Sequence, residues 1–175
     1  MWATEALKEW REFYVLTGTA AATLLALLFV AVSLGTGYLT SRRATGIRTF
    51  MSPVVIHFTS VFFISAVALV PTHQETFFAA LIGVTAAVGA AISMFITVQV
   101  VRTEMTNYVQ DYFAYGLLPA LAYLALLTAA ALIYLHNAFA LDALAGSVLL
   151  LAIVNIRNVW DLTLSMVRHQ AERKR

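Results

Sequence analysis

The sequence contains no cysteine, and that one absence removes disulfide scaffolds, thiolate metal sites, iron–sulfur clusters and cysteine nucleophiles together. Charge is the second scarcity. Asp, Glu, Lys and Arg make up 11% of the 175 residues, against roughly 25% in a soluble globular domain. Hydrophobic residues reach 61% and the mean hydropathy is +0.83, more apolar surface than a water-soluble fold can cover. A polar stretch long enough for a separate soluble domain is also missing, because apolar runs are spread from Phe13 to Val167. The expectation is one membrane domain covering residues 1–175.

Net charge is only +2, so the pI near 9.1 comes from a few bases between apolar runs and not from a nucleic-acid-binding face. No basic patch with interleaved aromatics occurs, and no nucleic-acid partner is expected. Enzyme signatures are missing too: there is no His-Glu-x-x-His, Gly-x-Ser-x-Gly, Walker loop or glycine-rich dinucleotide fingerprint. A potassium-filter sequence is absent as well. A b-type haem needs paired axial histidines, and His57 alone stands in an apolar stretch, so no cofactor is expected.

What remains is a set of long apolar runs separated by short polar segments. Residues 1–12 place Trp2, Ala6, Leu7 and Trp10 at helical spacing with Glu5, Lys8, Glu9 and Glu12 between them, the pattern of an interfacial helix. Those glutamates occupy the place of a basic leader region, so a cleaved signal peptide is not expected. The first membrane helix is expected over residues 13–39. One of its faces, Thr19, Ala22, Thr23, Ala26, Val30 and Ser33, is small and hydroxylated, which suits helix packing in lipid better than a pore lining.

The segment Thr40 to Arg48 reads as a loop, after which Ser52-Pro53 supplies an N-cap and a proline at the first helical position. The second helix is expected over 53–70 and the third over 76–101. The third carries a ridge of Ala79, Gly83, Ala87 and Ala91, expected to make the closest helix contact in the domain, and a thin opposite stripe of Thr85, Gly89, Ser93 and Thr97. The fourth is expected over 112–135, with Pro119 about two turns in and a kink there. The fifth is expected over 141–169, followed by a basic tail at 170–175.

Orientation follows from the bases, since short loops rich in Lys and Arg stay in the cytoplasm. Arg42, Arg43 and Arg48, then Arg102, then Arg168, Arg173, Lys174 and Arg175 fall on one side when five helices are counted. The expected fold is therefore an all-α integral membrane protein of the plasma membrane. It is a five-transmembrane-helix bundle with its N-terminus outside, its C-terminus cytoplasmic and a short N-terminal interfacial helix. A four-helix count, in which the second or fifth helix does not cross, is the rival.

Chemistry concentrates on the fifth helix, where Asn155, Arg157, Asn158 and Asp161 follow the apolar run Val148 to Val154. Ionisable residues at such depth are costly and usually have partners. With His57 of the second helix and Gln99 of the third, these residues are expected to form one polar cluster in the inner leaflet, with Arg157 paired to Asp161 and turned toward protein. The competing reading has Arg157 snorkelling to lipid phosphates, balanced by Asp161. A weaker set, His73, Glu75, His136 and Asp142, falls in the two external turns and reads as solvated turn residues before it reads as a metal site. The function expected is a homo-oligomeric channel or transport protein for a small solute or ion. The alternative is an accessory or scaffold protein that modulates another membrane protein; a membrane enzyme acting on lipid or quinone is a third class without a recognisable acid–base pair.

Overall fold

A computed structural model describes residues 2–35, 41–71, 74–102 and 116–173, and these contain six α-helices and no strand. They are α1 (Trp2–Glu9), α2 (Arg11–Gly35), α3 (Ser41–Ala68), α4 (Glu75–Arg102), α5 (Leu118–Tyr134) and α6 (Ala140–Arg173). Three of them hold windows long and apolar enough to cross a membrane: Arg11–Ala31, Glu75–Val98 and Ala140–Asp161. Two further apolar stretches, Pro53–Ala68 and Leu118–Tyr134, are shorter. Large apolar side chains, among them Leu16, Phe29, Phe77, Val84, Met94, Phe95, Ile153 and Trp160, face outward from α2, α4 and α6. A soluble monomer rarely shows such continuous apolar patches. An apolar exterior around a helical interior is what a helical membrane protein requires.

Neighbouring helices run antiparallel. Thr17 near the start of α2 meets Ser65 near the end of α3 through a 2.9 Å hydroxyl contact. Between α4 and α5 the register runs from Gly83 beside Ala130, through Gly89 beside Tyr123, to Thr97 beside Gly116. The α3–α4 and α5–α6 turns lie at the same end, joined by a 2.8 Å contact between Nδ1 of His136 and the carboxylate of Glu75. His136 takes the left-handed backbone conformation (φ 54°) that lets the chain reverse after α5. Helices α3, α4, α5 and α6 close a four-membered ring, α4 on α5, α5 on α6, α6 on α3 and α3 on α4, while α2 packs outside it against α3.

Several boundaries differ from the sequence expectation. Residues 41–48 are helical, not a loop, and α3 continues straight through Pro53. Proline costs a helix one backbone bond, to the carbonyl four residues earlier, which neighbouring groups in a packed bundle can offset. Hydropathy thus marked where α3 turns apolar and not where it begins. Pro119 sits in the first turn of α5. Gly116 and Leu117 precede it as a wide π-type turn; residues 112–115 of the expected fourth helix, and with them the expected kink, lie outside the described residues. The N-terminal helix ends at Glu9 and not at residue 12, and α6 extends to Arg173, taking up most of the expected tail.

The packing faces also differ. Thr19, Ala22, Thr23, Ala26, Val30 and Ser33 are all exposed, and α2 buries Tyr14, Thr17, Ala21 and Leu28 instead. On α4, Ala79 is buried and Gly83 partly so, but Ala87 and Ala91 are exposed. The buried face is Phe78, Ile82, Ala86, Gly89 and Ser93. A β-carbon on Gly83 would rest 3.7 Å from Ala130, an ordinary contact, whereas one on Gly89 would collide with the ring of Tyr123. Of these two contacts with α5, the tighter is the one made by Gly89, on the second stripe of α4.

Candidate functional site

The interior of the ring is apolar except for one polar seam. Val54, His57, Phe58, Val61, Ile64 and Ser65 form the buried face of α3, at the three- and four-residue spacing of a helix. His57 is 1% exposed, and its Nδ1 lies 2.9 Å from the hydroxyl of Tyr123 on α5. The same hydroxyl lies 3.0 Å from Oγ of Ser60, one turn further along α3. Ser60 in turn donates to the carbonyl of Ile56 at 2.9 Å. The seam is thus a linear chain of groups: Ile56 carbonyl, Ser60, Tyr123, His57. The rings of His57 and Tyr123 are 5.4 Å apart and tilted by 52°.

On the facing helix α6, Ser147, Leu151, Val154, Asn155 and Asn158 are buried. Asn155 is fully buried, and its Nδ2 donates to the carbonyl of Val54 at 2.9 Å. Val54 lies one turn from His57, so Asn155 and His57 belong to the same stretch of α3. On α4, Ser93 is buried one turn from Gly89, facing the start of α5.

The two charged members of the expected cluster are not part of it. The side chains of Arg157 and Asp161 are 50% and 42% exposed, and they meet each other at 3.8 Å across one turn of α6. This corrects the expectation that Arg157 turns toward protein. Arg157 and Asn158 are adjacent, about 100° apart around the helix, and burying the asparagine face turns the arginine outward. An exposed pair of this kind contributes little stability, about 0.3–0.5 kcal/mol. Gln99 lies on α4, but its side chain is outside the described residues. Asn155 and His57 are brought to one interface, Asn158 to the same buried face, and Arg157 with Asp161 to the outer surface.

Tyr123 and Ser60 are the members that sequence reasoning did not single out, and Ser93 entered it only as part of the thin stripe of α4. One signal was present: Tyr123 is the single hydroxyl in the run Leu118 to Leu127, and a tyrosine buried among Ala and Leu needs a partner for its O–H. At the opposite end, His73 lies outside the described residues, Asp142 is exposed, and Glu75 and His136 are the pair already noted. Among the described residues no three metal-ligating side chains come together.

The seam is not a stability device. Interhelical hydrogen bonds in membrane proteins average about 0.6 kcal/mol, whereas each buried polar atom without a partner costs about 1–3 kcal/mol. Nε2 of His57, Oδ1 of Asn155 and Oγ of Ser93 are such atoms, buried and without a hydrogen-bond partner among the described residues. A bundle selected for stability alone would fill these positions with Leu or Ala. Comparison of the chain with known protein families, characterised proteins and solved structures finds no match.

Proposed function

We propose that the chain is a five-pass protein of the plasma membrane, N-terminus outside and C-terminus cytoplasmic, that assembles as a homo-oligomer and passes a small solute or ion. One observation carries the transport reading: polar atoms of His57 and Asn155 stand in an apolar interior with hydrogen-bonding capacity left over. In a membrane helix bundle such groups mark the place where a polar molecule binds or crosses. With Asn155 and Asn158 inside the chain's own ring, the pathway runs along the α3–α5–α6 seam of each protomer.

The topology rests on the bases and on the alternation of helices. Arg42, Arg43 and Arg48 at the start of α3, Arg102 at the end of α4 and Arg168 and Arg173 near the end of α6 share the end opposite the Glu75–His136 pair. At about 1.5 Å per residue, the apolar stretch Pro53–Ala68 of α3 is roughly 24 Å long and α5 roughly 26 Å. Both come close to a hydrocarbon core of about 30 Å.

The second reading, an accessory protein that binds another membrane protein, is favoured by the outer stripe of α2. Thr19, Ala22, Thr23, Ala26 and Ser33 form a small-residue face that the chain itself leaves uncovered, alongside Ala87 and Ala91 of α4. In the transport reading these faces join copies of the same chain. The purified protein in lipid separates the two, through its mass by native mass spectrometry and its solute flux in proteoliposomes. Oligomers with flux above protein-free liposomes support transport. A monomer that passes nothing sinks it and leaves the accessory role.

A further inference from the structure

We propose that the buried seam is a binding site that offers two unpaired hydrogen-bond acceptors, Nε2 of His57 and Oδ1 of Asn155, and that it takes a small uncharged solute bearing O–H or N–H groups, neither an anion nor a metal ion. The proposal rests on the transport reading for its biological role but not for its chemistry.

Proton counting fixes the direction of the chain. A serine hydroxyl has one proton, and Ser60 gives it to the carbonyl of Ile56. Tyr123 is then the donor in its 3.0 Å contact with Ser60, and that uses its only proton. The 2.9 Å contact with His57 must therefore be donated by Nδ1–H of the imidazole. The opposite direction would give up the bond to Ile56 and leave a buried Nε2–H without an acceptor, the rarer kind of orphan. His57 is thus held as the neutral Nδ1–H tautomer, with the lone pair of Nε2 left over.

Asn155 is fixed in the same way. A carbonyl can only accept, so the atom that Asn155 turns to Val54 is its NH2 group, and Oδ1 is the acceptor left over. His57 and the carbonyl of Val54 that Asn155 holds lie one turn apart on α3, so both acceptors belong to the same stretch of the interior. Among the described residues the buried polar ones are Thr17, His57, Ser60, Ser65, Ser93, Ser147, Asn155 and Asn158, with no carboxylate and no Lys or Arg. An anion would meet lone pairs here, and a cation would be buried without a counter-charge, which is prohibitive in an apolar interior. A neutral donor satisfies both acceptors without transferring charge.

The test uses the full chain in lipid nanodiscs, labelled with 15N-histidine, with His57→Asn identifying the His57 resonances among the four histidines. Long-range 15N–1H correlation reports the tautomer of the parent protein directly. The expected result is a neutral Nδ1–H imidazole that loses this preference in Tyr123→Phe. An Nε2–H or doubly protonated ring in the parent overturns the proposal. Urea and glycerol, at non-denaturing concentration, are then titrated. A saturable shift of the His57 Nε2 resonance, lost in Asn155→Leu, supports the site. A shift with chloride or sodium instead, or none with either donor, overturns it. Flux of the same solutes into proteoliposomes judges the transport reading separately: binding without flux sinks that reading and leaves the site standing, while ion flux without donor binding does the reverse.

Discussion

The ring of Tyr123 on α5 occupies the position that a β-carbon on Gly89 of α4 would take. The glycine is there to admit the ring, and the ring carries the hydroxyl that joins His57 to Ser60. Helix packing and the polar seam are therefore one feature: the space that Gly89 leaves open is also what places the Tyr123 hydroxyl.

Gly89→Ala is expected to destabilise the protein by about 1–3 kcal/mol, since the added methyl forces a ring out of a packed interior. Gly83→Ala has room, its β-carbon resting 3.7 Å from Ala130. It should be neutral or stabilise by about 0.4–1 kcal/mol through the unfolded chain. Unfolding of the two variants side by side in SDS–detergent mixtures measures the contrast. Equal effects would show that the stripe containing Gly89 is not the tighter face.

Tyr123→Phe keeps the ring and removes the hydroxyl, leaving Nδ1 of His57 without its partner while Ser60 retains the carbonyl of Ile56. The expected loss is about 1–3 kcal/mol. In a double-mutant cycle with His57→Leu, the two changes should couple by at least about 0.5 kcal/mol. Additive losses would mean that the contact does not form.

For Arg157 and Asp161 the expected outcome is small. Both side chains are about half exposed, so Asp161→Asn should cost no more than about 0.5 kcal/mol, and adding Arg157→Gln should change little further. A buried pair would instead lose about 3–5 kcal/mol on removal of one partner. Thermal unfolding of the single and double variants tells the two apart.

The orientation is open to labelling, because the chain has no cysteine to mask. Single cysteines at Thr45 and Gln74 are expected to react with a membrane-impermeant maleimide from opposite sides, Gln74 from outside. Modification of both from the same side would overturn the alternation of crossings.

Composition and hydropathy determined the class of the protein from sequence alone, because an apolar exterior has to be written into most residues of every helix. That Asn155 and Asn158 of α6 belong to the interior was legible from the sequence, but the same reading grouped the half-exposed Arg157 and Asp161 with them. Three things were decided only by the tertiary structure. The start of α3 twelve residues before Pro53 was hidden because hydropathy senses lipid and not helicity. The choice between the two thin stripes of α4 depended on the ring that α5 brings opposite Gly89, which no property of α4 records. The seam itself joins His57 to a tyrosine 66 residues away and Asn155 to a backbone carbonyl 101 residues away. Such pairs leave no spacing in the sequence, because their distance is set by which helices become neighbours when the bundle closes.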